Sequence, residues 1–60
     1  MDIQIGDIIM DKSDNVYYIV KEIETFNGNK KIKFGDIDNP LKYTYGLSAK
    51  AIEREFQKIS

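Results

Sequence analysis

One set of candidate oxygen ligands lies at residues 36–39, where DIDN offers three polar side chains in the order with which a calcium loop begins. Hard cations such as Ca²⁺ are bound by carboxylate and amide oxygens. An EF-hand loop needs a further ligand at its fifth position and a glycine at its sixth, but Pro40 and Leu41 stand there. The polar cluster at residues 11–15 is typical of a turn whose side chains bond to the local backbone. We therefore expect no metal site and no cofactor.

Residues suited to catalysis are scarce. The chain contains no cysteine and no histidine, which removes the thiolate nucleophile and the commonest general base. Ser13, Ser48 and Ser60 have no activating base at a recognised spacing. A chain of 60 residues also has little room to enclose a desolvated pocket. We expect no catalytic residues and a protein that is not an enzyme.

Basic and aromatic residues alternate in the middle of the chain, as in proteins that bind single-stranded nucleic acid by phosphate attraction and base stacking. The candidate nucleic-acid-binding residues are Lys30, Lys31, Lys33 and Lys42, close in sequence to Phe34, Tyr43 and Tyr45. The competing interpretation is that Lys31 and Lys33 pair with glutamates of a neighbouring strand. Because the net charge is −1 and nucleic-acid binders are usually basic, this function is kept as an alternative.

A tyrosine-rich apolar set is the favoured candidate for binding, because tyrosine is enriched at protein interfaces. The candidate protein-binding residues are Val16, Tyr18, Val20, Tyr43 and Tyr45. Three of them follow one face of a predicted strand. A bend in the strand would turn this strip into the core, and otherwise a partner must cover it. The bend is the favoured explanation, and we expect a protein partner or a homo-oligomer.

Alternating apolar and polar residues predict the strands that position these side chains. A short strand is expected over residues 3–10, bent at Gly6, a stronger one over residues 16–23, and another over residues 43–45. In the first of these, the apolar set is Ile3, Ile5, Ile8 and Met10. The dipeptide at 27–28 is Asn-Gly, which predicts a two-residue hairpin because both turn positions require positive φ.

The hairpin predicts a register that can be checked against the charges. The expected opposed pairs are Glu24 with Lys31, Ile23 with Ile32, Glu22 with Lys33, and Lys21 with Phe34. In this register the core face of the second strand carries Tyr17, Ile19 and Ile23.

The C-terminal third begins with a turn at Asn39-Pro40 and contains Ser48 as a predicted helix N-cap. Apolar residues at 52, 56 and 59 recur at helical spacing. They fit one helix over residues 49–59, or a short helix to about Arg54 followed by a strand over residues 56–59. The second arrangement is preferred.

The opening IGDII at residues 5–9, the long hairpin and the short helix before a last strand together resemble SH3-like barrels, and the Gly-Asp opening is similar to a KOW module. The turn at residues 11–15 departs from that pattern because it lacks a glycine. The Gly-Asp-Ile triplets at 6–8 and 35–37 are predicted to be barrel corners at which the isoleucine re-enters the core. The expected fold is mainly β, a small SH3-like barrel of about five short antiparallel strands with one short C-terminal helix.

The whole chain also resembles small single-domain proteins encoded by phages and mobile elements. This resemblance implies a binding module, such as an inhibitor of a host protein, and as a further alternative a protein that sequesters a small nucleotide. One domain spanning residues 1–60 is expected. The absence of cysteine suits the cytoplasm, and the start lacks the basic and apolar regions of a signal peptide. We expect a cytoplasmic protein without a membrane segment.

Overall fold

The computed structural model describes residues 2–60. This part of the chain forms β1 (Ile8–Asp11), β2 (Tyr17–Phe26), β3 (Asn29–Asp36), β4 (Tyr45–Ser48), α1 (Ala49–Glu55) and β5 (Phe56–Lys58). The strands form one antiparallel sheet in the order β4-β3-β2-β1-β5. The predicted fold class, mainly β with five short antiparallel strands and a short C-terminal helix, is confirmed.

The core lies between the inner face of the sheet and the short helix. Its six buried side chains come from β1, β2, β3, α1 and β5: Ile9, Val20, Ile32, Phe34, Ile52 and Phe56. The helix α1 contacts β3, β4 and β5, so it spans the gap between the two outer strands of the sheet. Its one buried residue, Ile52, fills that gap.

The β2–β3 hairpin has the predicted turn, since Asn27 and Gly28 adopt φ values of 49° and 78°. Three of the expected pairs are confirmed, Glu24 with Lys31, Ile23 with Ile32, and Glu22 with Lys33. The fourth is wrong. A β-bulge between Val20 and Glu22 makes Val20, not Lys21, the partner of Phe34.

The bulge determines which residues of β2 face the core. One extra residue shifts the register by one, and a one-residue shift exchanges the two faces of a strand. Val20 is therefore buried, Tyr18 packs against the core, and Tyr17 is 45% exposed on the outside. The predicted bend is confirmed, and the expectation that Tyr17 belongs to the core face is wrong.

The first strand begins later than expected, at Ile8. Residues 4–7 form a turn in which the Gln4 amide donates to Asp7 Oδ2 at 2.7 Å and the Asp7 amide donates to the Gln4 carbonyl at 3.1 Å. Gly6 lies in this turn with φ of 93°. The buried residue of β1 is Ile9, and Ile5, predicted to be in the apolar set, is 66% exposed.

The C-terminal prediction is confirmed in its preferred form. The Ser48 hydroxyl accepts a hydrogen bond from the Ala51 amide at 3.2 Å, and α1 ends at Glu55 before β5. The Asn39-Pro40 turn is also present, closed by a bond from the Lys42 amide to the Asn39 carbonyl at 3.1 Å. The expected strand at residues 43–45 is wrong, because β4 begins at Tyr45 and continues to Ser48.

The two Gly-Asp-Ile triplets have different structures. The first lies at a turn that leads into β1, as expected. In the second, Gly35 lies buried within β3 and Ile37 is 43% exposed beyond the strand, so this isoleucine does not re-enter the core. Within residues 2–60, no helix is long and apolar enough to cross a bilayer.

Candidate functional site

Five strand ends bring aromatic and acidic residues together at one end of the sheet. In an antiparallel sheet the ends of β1 and β3 lie beside the starts of β2 and β4. The register pairs Tyr18 with Asp36, Phe34 with Tyr45, and Asp11 with Phe56. This end lies opposite the turn of the β2–β3 hairpin.

The aromatic rings form the floor and one wall of a pocket. The ring centroids of Tyr18 and Phe34 are 5.1 Å apart, those of Phe34 and Phe56 are 5.2 Å apart, and both pairs meet edge to face. Phe34 and Phe56 are only 3% exposed. Tyr45, whose ring lies 5.7 Å from that of Tyr18, is 40% exposed and stands at the surface. Edge-to-face pairs of this kind stabilise a cluster beyond its buried area.

We call this site the aromatic pocket. Its volume is about 310 Å³, near the lower limit of about 300 Å³ for ligand sites, so it suits a single side chain or small group. It is lined by Asp11, Tyr18, Phe34, Tyr45, Gly46, Leu47, Glu55 and Phe56. Both charged residues of the lining are carboxylates.

The two carboxylates have different local partners. Asp11 accepts hydrogen bonds from the Ser13 amide at 2.9 Å and the Ser13 hydroxyl at 2.7 Å, both at Oδ1. These bonds favour the charged form and lower the Asp11 pKa, so this carboxylate is ionised at neutral pH. Glu55 forms an ion pair with Arg54 at 3.0 Å, and both side chains are exposed.

The acidic surroundings also affect the tyrosines. Burial raises the pKa of Tyr18, and the charges of Asp14, Asp11 and Asp36 raise it further. Burial and the nearby Asp36 raise the pKa of Tyr45. Both phenols therefore remain neutral hydrogen-bonding groups in a negative field. A cation entering the pocket would be attracted by the carboxylates and by the faces of the rings.

A half-buried lysine holds the loop between β3 and β4, which carries Tyr43. Lys21, the bulge residue, donates from Nζ to the Pro40 carbonyl at 2.6 Å and to the Thr44 hydroxyl at 2.7 Å. Its position could not be inferred from the sequence, because no glycine marks the bulge. Lys21 thereby fixes the segment between β3 and β4 against the sheet.

The structure separates the five candidate protein-binding residues. Tyr18 and Tyr45 line the aromatic pocket, and Tyr43, 53% exposed, has its ring centroid 6.3 Å from that of Tyr45. Val20 is 1% exposed and belongs to the core, and Val16 is 42% exposed outside the pocket lining. Sequence reasoning did not assign Asp11, Glu55 or Phe56 to a site, because only the β1–β5 pairing brings them beside the tyrosines.

The four candidate nucleic-acid-binding lysines do not form one surface. Lys30 and Lys31 lie near the turn of the hairpin, whereas Lys42 lies at the other end of the sheet with Nζ 5.3 Å from the Tyr43 ring centroid. Lys33 forms an ion pair with Glu24, diagonally across the hairpin instead of directly with Glu22.

A second groove lies beside the turn of the hairpin, with a volume of about 460 Å³. It is lined by Glu24, Phe26, Asn29, Lys30, Lys31, Gly46, Leu47 and Ser48. The aromatic residue here is Phe26, which is 74% exposed, whereas Phe34, the aromatic neighbour of the lysines in the sequence, is buried. The sequence signal for Phe26 is its position directly before the Asn-Gly turn.

The acidic turn at residues 11–15 has the local bonds expected of it. Besides the Asp11 bonds to Ser13, Asp14 Oδ1 accepts from the Val16 amide at 3.0 Å, and Asn15 adopts a positive φ of 59°. Across residues 2–60, no group of three or more acidic residues is arranged to bind a metal ion. Comparisons of the chain with protein-family models, curated proteins and solved structures find no match.

Proposed function

We propose that the chain is a non-enzymatic protein-binding module that accepts a basic side chain of its partner in the aromatic pocket. The observation that carries the proposal is the composition of the pocket, an aromatic floor and wall whose only charged lining residues are Asp11 and Glu55. A site with this lining favours a cation over a neutral or anionic group.

The physics of the pocket favours arginine or lysine as the inserted residue. A cation over an aromatic ring gains about 0.5–1 kcal/mol at exposed sites and about 2 kcal/mol when it is desolvated. Arginine has a planar, weakly hydrated guanidinium that stacks on rings and pairs with carboxylates, so we expect arginine to bind more tightly than lysine. A peptide with one such anchor is expected to bind with a Kd of about 10⁻⁴ to 10⁻³ M.

The strand order supports an SH3-like barrel for the fold, because the meander β1–β4 is followed by a short helix and a last strand that pairs with β1. The resemblance to phage and mobile-element proteins implies a regulatory role, for example inhibition of a host protein in the cytoplasm. A tight complex would then need contacts beyond the pocket, since a single anchored side chain gives only weak binding.

A peptide titration followed by NMR tests the proposal. The probes are three capped pentapeptides with a central arginine, its neutral analogue citrulline, or glutamate between glycines. The arginine peptide should shift the resonances of Tyr18 and Tyr45, and the other two should not do so at up to about 5 mM. Equal responses to all three peptides, or none to the arginine peptide, would refute the cation-binding pocket.

Two tyrosine variants provide a matched comparison. Tyr45→Ala removes the pocket wall, whereas Tyr17→Ala removes a similarly exposed tyrosine, 45% against 40%, from the outer face of β2. We expect Tyr45→Ala to weaken arginine-peptide binding at least about tenfold, equivalent to about 1.4 kcal/mol, and Tyr17→Ala to leave it unchanged. Circular dichroism confirms that both variants are folded.

The nucleic-acid alternative predicts a different result in the same NMR titration. A short oligothymidine would shift the resonances of Phe26, Lys30 and Lys31, because these residues line the second groove. That binding would weaken steeply between about 50 and 200 mM salt, since phosphate contacts release counterions. This outcome, without a response to the arginine peptide, would favour nucleic-acid binding over the proposed function.

A further inference from the structure

The β2–β3 hairpin projects beyond the rest of the sheet. β1 pairs only with residues 17–19 of β2, and β4 pairs only with residues 31–34 of β3. Residues 25, 26, 29 and 30 therefore pair only with each other across the turn. We call residues 25–31 the hairpin tip.

The hairpin tip is basic and carries an exposed aromatic ring. Phe26 is the most exposed of the aromatic side chains, at 74%. Lys30 and Lys31 are exposed, and residues 25–35 contain no carboxylate. The nearest acidic residue on β2, Glu24, is paired with Lys33. The tip thus presents one apolar group and two exposed lysines on a tightly turned hairpin.

The aromatic pocket has the complementary properties, and its rings lie further along the sheet, beyond Gly46 and Leu47, which line both the pocket and the groove beside the tip. Along β3, five residue steps separate Asn29, in the tip, from Phe34, which lines the pocket, a distance of about 17 Å along a strand. The longest extent of the fold is 32 Å. The sheet between them is continuous, so a chain cannot place its own tip in its own pocket. The tip of a second copy can reach the pocket.

We propose that the hairpin tip of one copy occupies the aromatic pocket of a second copy. A lysine of the tip, Lys30 or Lys31, enters the pocket beside its two carboxylates, and Phe26 packs against the exposed ring of Tyr45. The inference rests on the proposed function, because it names the partner of the same pocket. It follows from charge complementarity, since the pocket lining contains no basic residue and the tip contains no acidic one.

The proposed contact is heterologous, because a tip meets a pocket and each copy keeps one of each unused. Such contacts produce open chains or closed rings instead of two-fold dimers. The interface is small compared with the roughly 1,200–2,000 Å² of stable complexes. We therefore expect self-association with a Kd of about 10⁻⁴ to 10⁻³ M, weakened by salt.

Two variants with complementary defects test the proposal. The tip variant carries Lys30→Glu and Lys31→Glu and keeps an intact pocket. The pocket variant carries Tyr45→Ala and keeps an intact tip. In sedimentation equilibrium, the wild-type mass should increase beyond two chains as the concentration rises towards about 1 mM. Each variant alone should remain at the mass of one chain. A mixture of the two should reach two chains and stop there, because only one contact can form.

Three results would overturn the proposal: a wild-type mass of one chain at every concentration, variants that assemble like the wild type, or a mixture that stays monomeric. NMR spectra of each variant establish that it is folded, and Phe26→Ser is a second tip variant that introduces no charge.

The arginine-peptide titration distinguishes the proposed function from the proposed self-association. Peptide binding by a monomeric wild type refutes self-association and leaves the proposed function in place, whereas no peptide binding and no assembly refutes both.

Discussion

Gly35 and Gly46 each lie in a strand directly after an aromatic residue, but the atoms around them differ. A Cβ on Gly35 would lie 2.8 Å from the Pro40 carbonyl oxygen and 2.9 Å from the Tyr43 carbonyl oxygen. Both atoms belong to the backbone of the loop that Lys21 holds. A Cβ on Gly46 would meet Lys31 Cε at 2.7 Å, the far end of a flexible side chain.

This difference predicts unequal costs for the same substitution. Gly35→Ala forces the loop away from β3, and we expect it to lower the free energy of unfolding by about 1–3 kcal/mol, as overpacking does. Gly46→Ala only displaces the Lys31 side chain, so we expect a change within about 0.5 kcal/mol. Urea unfolding measures both. Similar losses in the two variants would show that the loop carbonyls are free to move.

Lys21 shows what the residue sequence does not reveal. It follows Val20 in a run that alternates as a strand, and the register of the Asn-Gly hairpin predicted it opposite Phe34. The actual position is a bulge, stabilised by bonds from Nζ to two residues of a loop 19 and 23 positions away. A tertiary contact of this kind leaves no local signal, because neither glycine nor a turn motif is needed to form it.

Among the strands and the helix, short sequence motifs correctly predicted the features that depend only on neighbouring residues. The Asn-Gly turn correctly predicted the hairpin and three of its four expected pairs, and Ser48 correctly predicted the start of the helix. The preference for a short helix followed by a strand was also confirmed. The errors lie at the bulge, at the start of β1 and at β4, where pairing with a distant strand determines the boundary. The aromatic pocket depends on those pairings, so only its two tyrosines were among the predicted site residues.

The helix α1 is only seven residues long and depends on its cap. Isolated helices of this length are unstable in water, so Ser48 and the burial of Ile52 must hold it in place. We expect Ser48→Ala to lower the free energy of unfolding by about 1 kcal/mol because the Ala51 amide loses its acceptor. Ser48→Asp keeps an acceptor and is the matched control. Guanidinium unfolding compares the three proteins, and equal losses in the two variants would contradict a capping role.

The molecule as a whole is expected to be only marginally stable. A 60-residue chain buries only about 60% of the surface that its unfolded form exposes. The carboxylates are then important for its response to acid, because several are held in the charged form. Hydrogen bonds and nearby lysines lower the pKa of Asp7 and of Glu24, and the Ser13 bonds lower that of Asp11.

These shifts fix the sign of the pH dependence. A carboxylate with a lowered pKa in the folded state binds fewer protons there than in the unfolded chain. Its contribution to stability is complete above its unfolded pKa of about 4 and is lost as the pH falls through the folded value. The raised pKa values of Tyr18 and Tyr45 affect stability at alkaline pH. Their contribution is complete below about pH 10 and is lost as the pH rises through the folded value.

Asp7 provides the sharpest test of the acid limit, because its carboxylate joins the first turn to the last strand. The bond from the Gln4 amide is the main cause of its lowered pKa, and Lys58, with Nζ 3.3 Å from Oδ2, adds to it. Asp7→Asn retains an oxygen that can accept from Gln4 but has no proton to gain. We expect its melting temperature to fall less than that of the wild type between about pH 5 and pH 2.

The control for this comparison is Asp38→Asn, which changes an exposed carboxylate at the bend after β3. Thermal melts followed by circular dichroism across the same pH range should show the wild-type fall in this variant. If the two asparagine variants lose stability in parallel as the pH falls, protonation of many surface carboxylates, and not of Asp7 in particular, causes the loss. If only Asp7→Asn is protected, the response depends on the contact between the first turn and β5, which places the edge of the sheet among the parts of the fold most sensitive to acid.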